Sequence, residues 1–173
     1  MEIKTTLTNR SGQVLGVEYK DIDSTDELGG RKVAAVHAYC FHGDKLVIVY
    51  SEGKGYWSAP GGGTEEGESV EESTIREILE ETNMRVLKYQ LLGFQDIYEP
   101  GGVKTQTRAV CIVEPVGPFV ADGDTEGGDV TEIKSIDPAD IKEYFDWGEV
   151  GEHVLARALE WNRVSKVRDK KFV

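Results

Sequence analysis

Residues 62–84 read GGTEEGESVEESTIREILEETNM, and the spacing of acidic residues in this stretch decides how the rest of the chain is read. Glu77, Glu80 and Glu81 stand at i, i+3 and i+4, so on a helix all three carboxylates leave one face within a turn. Like charges stacked that way repel, and a bound cation is the simplest thing that makes the arrangement favourable. Oxygen donors of this kind suit a hard divalent ion, Mg²⁺ or Mn²⁺. The helix is expected on independent grounds. Ser69-Val70-Glu71-Glu72 places a capping serine with a glutamate three residues on, and Glu71 and Glu72 complement the positive end of the helix dipole. Ile75, Ile78, Leu79 and Thr82 are expected to form the inward face, with the acidic stripe turned to solvent or ligand. Asn83 tolerates the left-handed conformation that ends a helix. Ahead of the helix, Pro60-Gly61-Gly62-Gly63 lacks the side chains that would hold backbone away from a ligand or metal.

This stretch resembles the box of the Nudix hydrolases, G-x5-E-x7-R-E-U-x-E-E-x-G-U, where U is a bulky aliphatic residue. Gly62, Glu68, Arg76, Glu77, Ile78, Glu80, Glu81 and Met84 fall on motif positions, eight of the nine specified. Asn83 replaces the last glycine, a mild exchange at a helix cap. The box covers 23 of the 173 residues. The resemblance implies hydrolysis of a nucleoside diphosphate linked to some group X, by water substituting at phosphorus with a divalent metal as cofactor. By motif position it implies Glu77, Glu80 and Glu81 as metal ligands, a backbone carbonyl from Gly62, an assisting Glu68 and an Arg76 that holds a glutamate in place. Family members often draw a general base from a loop beyond the box. Glu126, in the acidic glycine-rich segment ADGDTEGG at 121–128, is the first candidate and Glu132 the second.

A length of 173 residues gives room for one domain with a sizeable core, and an apolar fraction of 39% is ordinary for a globular protein. The net charge of -12 argues against general affinity for nucleic acid or an anionic membrane, which attract basic surfaces. It also disfavours an RNA-end substrate and leaves a small-molecule nucleotide as the expected partner. Cys40 and Cys111 are isolated, with no C-x-x-C spacing, and read as reduced thiols. The N-terminal MEIKTTLTNR lacks an apolar leader run and no segment reads as a membrane span, so the expected location is cytoplasmic.

Residues 2–8 and 13–20 read as a hairpin that packs on the core or on a second subunit of a homodimer; 1–30 is taken as this hairpin with its connecting turn, and 31–173 as the hydrolase-like domain. Strands are expected at 32–41, 45–50, 85–98, 104–113 and 130–136, with Leu46–Tyr50 at the centre of the sheet. A short helix follows Asp137-Pro138, a last helix spans 148–164, and basic 166–171 is a frayed tail. Strands on both sides of one helix with a helical finish make an α/β fold, and the resemblance implies an α/β/α sandwich with a mixed central sheet. Tyr56 and Trp57, before the glycine run, are placed to flank a ligand or join the core. Arg108 is assigned either to phosphate or to a surface strand. Pro100 lies 16 residues past Met84, near where ADP-ribose hydrolases of the family carry a proline. That favours a nucleotide sugar slightly, whereas base stacking on Tyr56-Trp57 serves a nucleoside triphosphate equally. Two alternatives use the same fold: a nucleotide-sensing module, against which the full set of box glutamates speaks, and an isoprenoid diphosphate isomerase, for which Cys40 and His42 are the only support.

Overall fold

Runs of β-branched and aromatic residues between glycine-rich turns form the strands, because such side chains fit a pleated, half-buried surface. The computed structural model describes residues 1–121 and 130–170. A hairpin of β1 (Glu2–Thr8) and β2 (Val14–Asp21) comes first. β3 (Val33–His42), β4 (Lys45–Ser51), β5 (Tyr56–Ser58) and β6 (Gly61–Gly63) then lead to α1 (Val70–Thr82). β7 (Met84–Glu99), β8 (Gly102–Pro115) and β9 (Val130–Ile136) follow, a 3-10 turn spans Pro138–Glu143, and α2 (Gly148–Lys170) comes last. The strands join in one sheet in the order β1-β2-β7-β8-β3-β4-β5, with β6 paired to β3 and β9 to β4. Among the described residues only β3 and β8 pair in parallel, so the sheet is mixed.

Alternation along the strands sends successive side chains to opposite faces, and each face is closed by one helix. Ala38, Cys40, Val47, Ala109, Cys111 and Val113 meet Ile78 of α1. Tyr39, Phe41, Leu46, Ile48 and Val110 meet Val150, Val154 and Ala158 of α2. Each fully buried Val, Leu, Ile or Phe among them contributes roughly 1.5–3 kcal/mol, so the two layers lock the helices to opposite faces of the sheet. The expected α/β/α sandwich is the fold. No helix among the described residues is long and apolar enough to cross a membrane.

Several local expectations are corrected. Ile75 and Leu79 are 37% and 45% exposed, and α1 buries Ser73, Thr74, Ile78 and Thr82 instead. Small hydroxyl residues let the helix approach the sheet closely, and the Thr74 and Thr82 hydroxyls donate back to the carbonyls of Val70 and Ile78. Residues 56–58 and 61–63, outside the strands expected from sequence, are short strands whose pairing comes from β4 and β3. Strand β4 is buried on both faces but is not central, since β3 and β8 occupy the middle and β9 lies along the other side of β4. The basic stretch from Lys166 continues α2 through Lys170, tied down by ion pairs from Lys166 to Asp44 and from Lys88 to Asp169.

The N-terminal hairpin extends the same sheet through β2 and β7, from Gly16 opposite Tyr98 to Asp21 opposite Gly93. Asp21 ties it to α2, accepting from the Tyr19 hydroxyl at 2.8 Å and Arg157 at 2.9 Å and pairing with His153 at 3.0 Å.

Candidate functional site

The site forms where α1 meets the glycine strand β6. Ser69 caps α1 by accepting from the Glu72 amide at 3.0 Å, and Asn83 ends it with φ 54° and its own amide bonded to the Leu79 carbonyl. The exchange of glycine for asparagine therefore leaves the cap intact. Helical spacing puts Glu77 and Glu81 beside the buried row and leaves Glu80 outside, so the side chains of Glu77 and Glu80 are 13% and 54% exposed. Glu77 and Glu81 face the glycine strand, and Glu80 alone of the three stays open to solvent. A Cβ at Gly62 would lie 2.6 Å from the Glu77 Oε2, and one at Gly61 would lie 2.1 Å from the Val36 carbonyl oxygen. Absent side chains at 61 and 62 are what allow the carboxylates and the sheet to close together.

Arg76 organises the acids. Its guanidinium donates from Nε to Glu68 at 2.8 Å, from Nη1 to Glu77 at 3.0 Å and Glu80 at 3.3 Å, and from Nη2 to the Gly63 carbonyl at 2.9 Å. The bond from Arg76 holds the Glu68 carboxyl down at about 2, and Ser73 adds a second donor at 2.8 Å. Glu77 moves the other way: burial raises it, against the opposing pull of Arg76. Burial pushes Glu81 up to about 8, opposed by the bond it accepts from the Gly61 amide at 3.3 Å and reinforced by the charge of Glu77.

Among the described residues, no three acidic, histidine or cysteine side chains form a ready-made metal cage. The donor chemistry nonetheless fits a hard divalent ion, being all oxygen, with Glu77 and Glu81 in mutual repulsion beside a backbone that lacks Cβ atoms. Arg76 pairs with three of the carboxylates, those of Glu68, Glu77 and Glu80.

The structure thus brings together Gly62, Glu68, Arg76, Glu77, Glu80 and Glu81. Glu132 does not join them. It pairs with Tyr50 in the β4–β9 register, on the α2 face, whereas α1 packs on the other face. Glu126 lies outside the described residues. Trp57 is partly buried against the α2-side core and contacts Tyr50 and Tyr144, with ring centroids 5.3 Å and 5.6 Å away. Tyr56 is 45% exposed, with the Arg10 guanidinium 5.7 Å from its ring. Pro100 sits in the exposed β7–β8 turn and joins none of the bonds of the acidic group. Arg108 is 6% exposed, which rules out the surface-strand reading. It lies under Trp147, 4.7 Å from the ring centroid. The grouping of Trp147 and His37 with Arg108 was not legible in the sequence: a lone tryptophan before a helix and a lone histidine in an apolar strand carry no spacing signal.

The sequence pattern of the NUDIX domain matches residues 31–164. An uncharacterized Nudix hydrolase of Bacillus subtilis is 46% identical over 50 residues, 29% of this chain and 32% of its own length. Nudix hydrolase 2 of Arabidopsis thaliana is 29% identical over 87 residues, 47% of this chain and 31% of its own. The chain thus spans about a third of the length of the curated relatives it matches. The crystal structure of a Bacillus subtilis pyrophosphohydrolase superposes with a TM-score of 0.60 at 19% identity, over 76% of this chain and 77% of that one, a likeness of fold.

Proposed function

The chain belongs to the Nudix family, and on that premise we propose that it is a metal-dependent hydrolase of nucleotide-linked diphosphates. The substrate is a nucleoside diphosphate joined to a group X, either a nucleotide sugar such as ADP-ribose or a nucleoside triphosphate, cleaved by water attack at phosphorus. The observation that carries this reading is the placement of Glu77 and Glu81 against a strand without side chains, beside an Arg76 already bonded to Glu68, Glu77 and Glu80.

In this reading Glu77, Glu80, Glu81 and the Gly62 carbonyl hold Mg²⁺ or Mn²⁺. When bound, the ion neutralises charge on the phosphate oxygens and polarises phosphorus toward attack. Glu81, whose carboxyl burial raises to about 8, would serve as a ligand in its ionised form. Arg76 keeps the carboxylates in register and Glu68 anchors Arg76, a positioning role for both. Glu126 is the proposed general base.

The test is product release from a panel of nucleoside triphosphates, nucleotide sugars and dinucleoside polyphosphates, with Mg²⁺ and with chelator. Metal-dependent cleavage of one class is expected. Silence across the panel with nucleotide binding intact would refute the hydrolase reading and favour a sensing module.

A further inference from the structure

On the α2 face, Lys104, Gln106 and Arg108 follow one another along β8 at every second position, from exposed through half-buried to buried. Arg108 ends the row inside the protein. Its guanidinium donates to the Thr107 carbonyl at 3.0 Å and to Gln106 Oε1 at 3.2 Å and lies on Trp147, and no carboxylate pairs with it among the described residues. An arginine carries five N–H donors, and buried cations are ordinarily matched by an anion. Burial without that anion draws Arg108 down to about 10.

A second polar group in the same place is also unsatisfied. His37, opposite Arg108 in the β3–β8 register, keeps Nδ1 shielded from solvent with no hydrogen-bond partner among the described residues. Its ring stands edge-on to Trp147, centroids 5.5 Å apart. His37 is also the partner of Gly61 in the β3–β6 ladder, and the Gly61 amide is the one bonded to Glu81. The acidic group and the Arg108 group therefore flank one strand pair from opposite faces, divided by a strand without side chains. β6 pairs with β3 alone among the described residues, so a ligand spanning the two groups passes the outer edge of β6.

We infer that Arg108, with Gln106 and Lys104, binds a phosphate group of the substrate remote from the bond that is cleaved, with Trp147 as the wall of that subsite. This makes Arg108 the specificity-determining residue, and it rests on the hydrolase reading above. The row selects substrates with a further phosphate within reach of β6 and disfavours those ending in an uncharged group.

The test is Arg108→Met, which conserves volume and removes the unmatched charge. Calorimetry in EDTA, with ADP, inorganic pyrophosphate and adenosine as probes, reads the subsite without metal or turnover. Wild type is expected to bind ADP and pyrophosphate but not adenosine, and the variant to lose about 10- to 100-fold in affinity, as charge-assisted hydrogen bonds do when one partner goes. With the preferred substrate of the panel, the loss is expected in KM and not in kcat. The melting temperature is expected to hold or rise, because a structural arginine would lower it on removal. Equal ADP binding by both proteins, or adenosine binding that falls with the substitution, would overturn the inference. A wild type that binds ADP through Arg108 yet cleaves nothing in the panel would keep the subsite and remove the hydrolase.

Discussion

Alanine at each of Gly61, Gly62 and Gly63 in turn separates the two uses of the glycine strand. At Gly61 the new Cβ would lie 2.1 Å from the Val36 carbonyl oxygen and 2.6 Å from His37 Cδ2. That is more than about 1 Å short of ordinary contact, and the obstacle is backbone, so β6 must pull away from β3. Overpacking costs about 1–3 kcal/mol, and the bonds from the Ala38 amide to Pro60 and from Gly61 to Glu81 add about 1 kcal/mol each if they break. The expected loss is about 3–5 kcal/mol, or on the order of 10–15 °C in melting temperature for a chain of this length. At Gly63 the nearest atom is the Ala34 carbonyl at 4.0 Å, and the change should fall within about 0.5 kcal/mol. Gly62 is the informative case. Its Cβ meets the Glu77 carboxylate at 2.6–2.7 Å, the far end of a side chain that can swing aside but must then leave Arg76. Gly62→Ala should therefore stay within about 1 kcal/mol of wild type and yet lose most Mg²⁺-dependent turnover. Urea titrations followed by far-UV circular dichroism, with activity on the best substrate, measure both. Equal stability of the 61 and 63 variants would refute the packing argument, and full activity of the 62 variant would refute the placement of Glu77.

Three further outcomes are expected. Glu80→Gln should lower turnover by about 100-fold, on the order of 3 kcal/mol of barrier, with an unchanged melting curve, since Glu80 is half-exposed and held by one weak bond; near-normal turnover with the same metal requirement would remove it from the ligand set. Glu81 has a folded-state pKa of about 8 against an unfolded value of 4.5, so the folded form binds the proton more tightly. Its contribution to stability is complete below about pH 4.5 and is lost as pH rises through about 8, so denaturation midpoints in EDTA should fall over that window and Glu81→Gln should flatten the fall; parallel curves would contradict the assignment. Glu126→Gln should slow turnover with Mg²⁺ affinity intact, as read by metal titration, and weaker metal binding would make Glu126 a ligand.

Much of the site was legible because a helix has a fixed period: residues 3 and 4 apart must share a face, so Glu77, Glu80 and Glu81 could be grouped from spacing, while Glu68 and Arg76 joined them through the motif positions of the resemblance. Capping chemistry is equally local, which is why Ser69 and Asn83 read correctly. The inward face of α1 was misjudged for a related reason. Hydrophobicity favours burying Ile75 and Leu79, but the sheet below offers close approach to Ser73 and Thr74 and a side-chain gap at β6, and no local signal records a gap in another element.

The sequence by itself determined most of the elements, the acidic helix and its cap, the net charge of -12 and the resemblance carried by eight box positions. These depend on interactions within a few residues or on total charge. Only the tertiary structure decided that Gly61–Gly63 is a strand on β3, that Glu77 and Glu81 face it, that Glu132 lies on the opposite face, and that Arg108 is buried beneath Trp147 without an acid among the described residues. Each of those depends on strand register and on burial between distant segments. Burial sets the electrostatic cost of a charge, and it is a property of the packed chain rather than of any stretch of it.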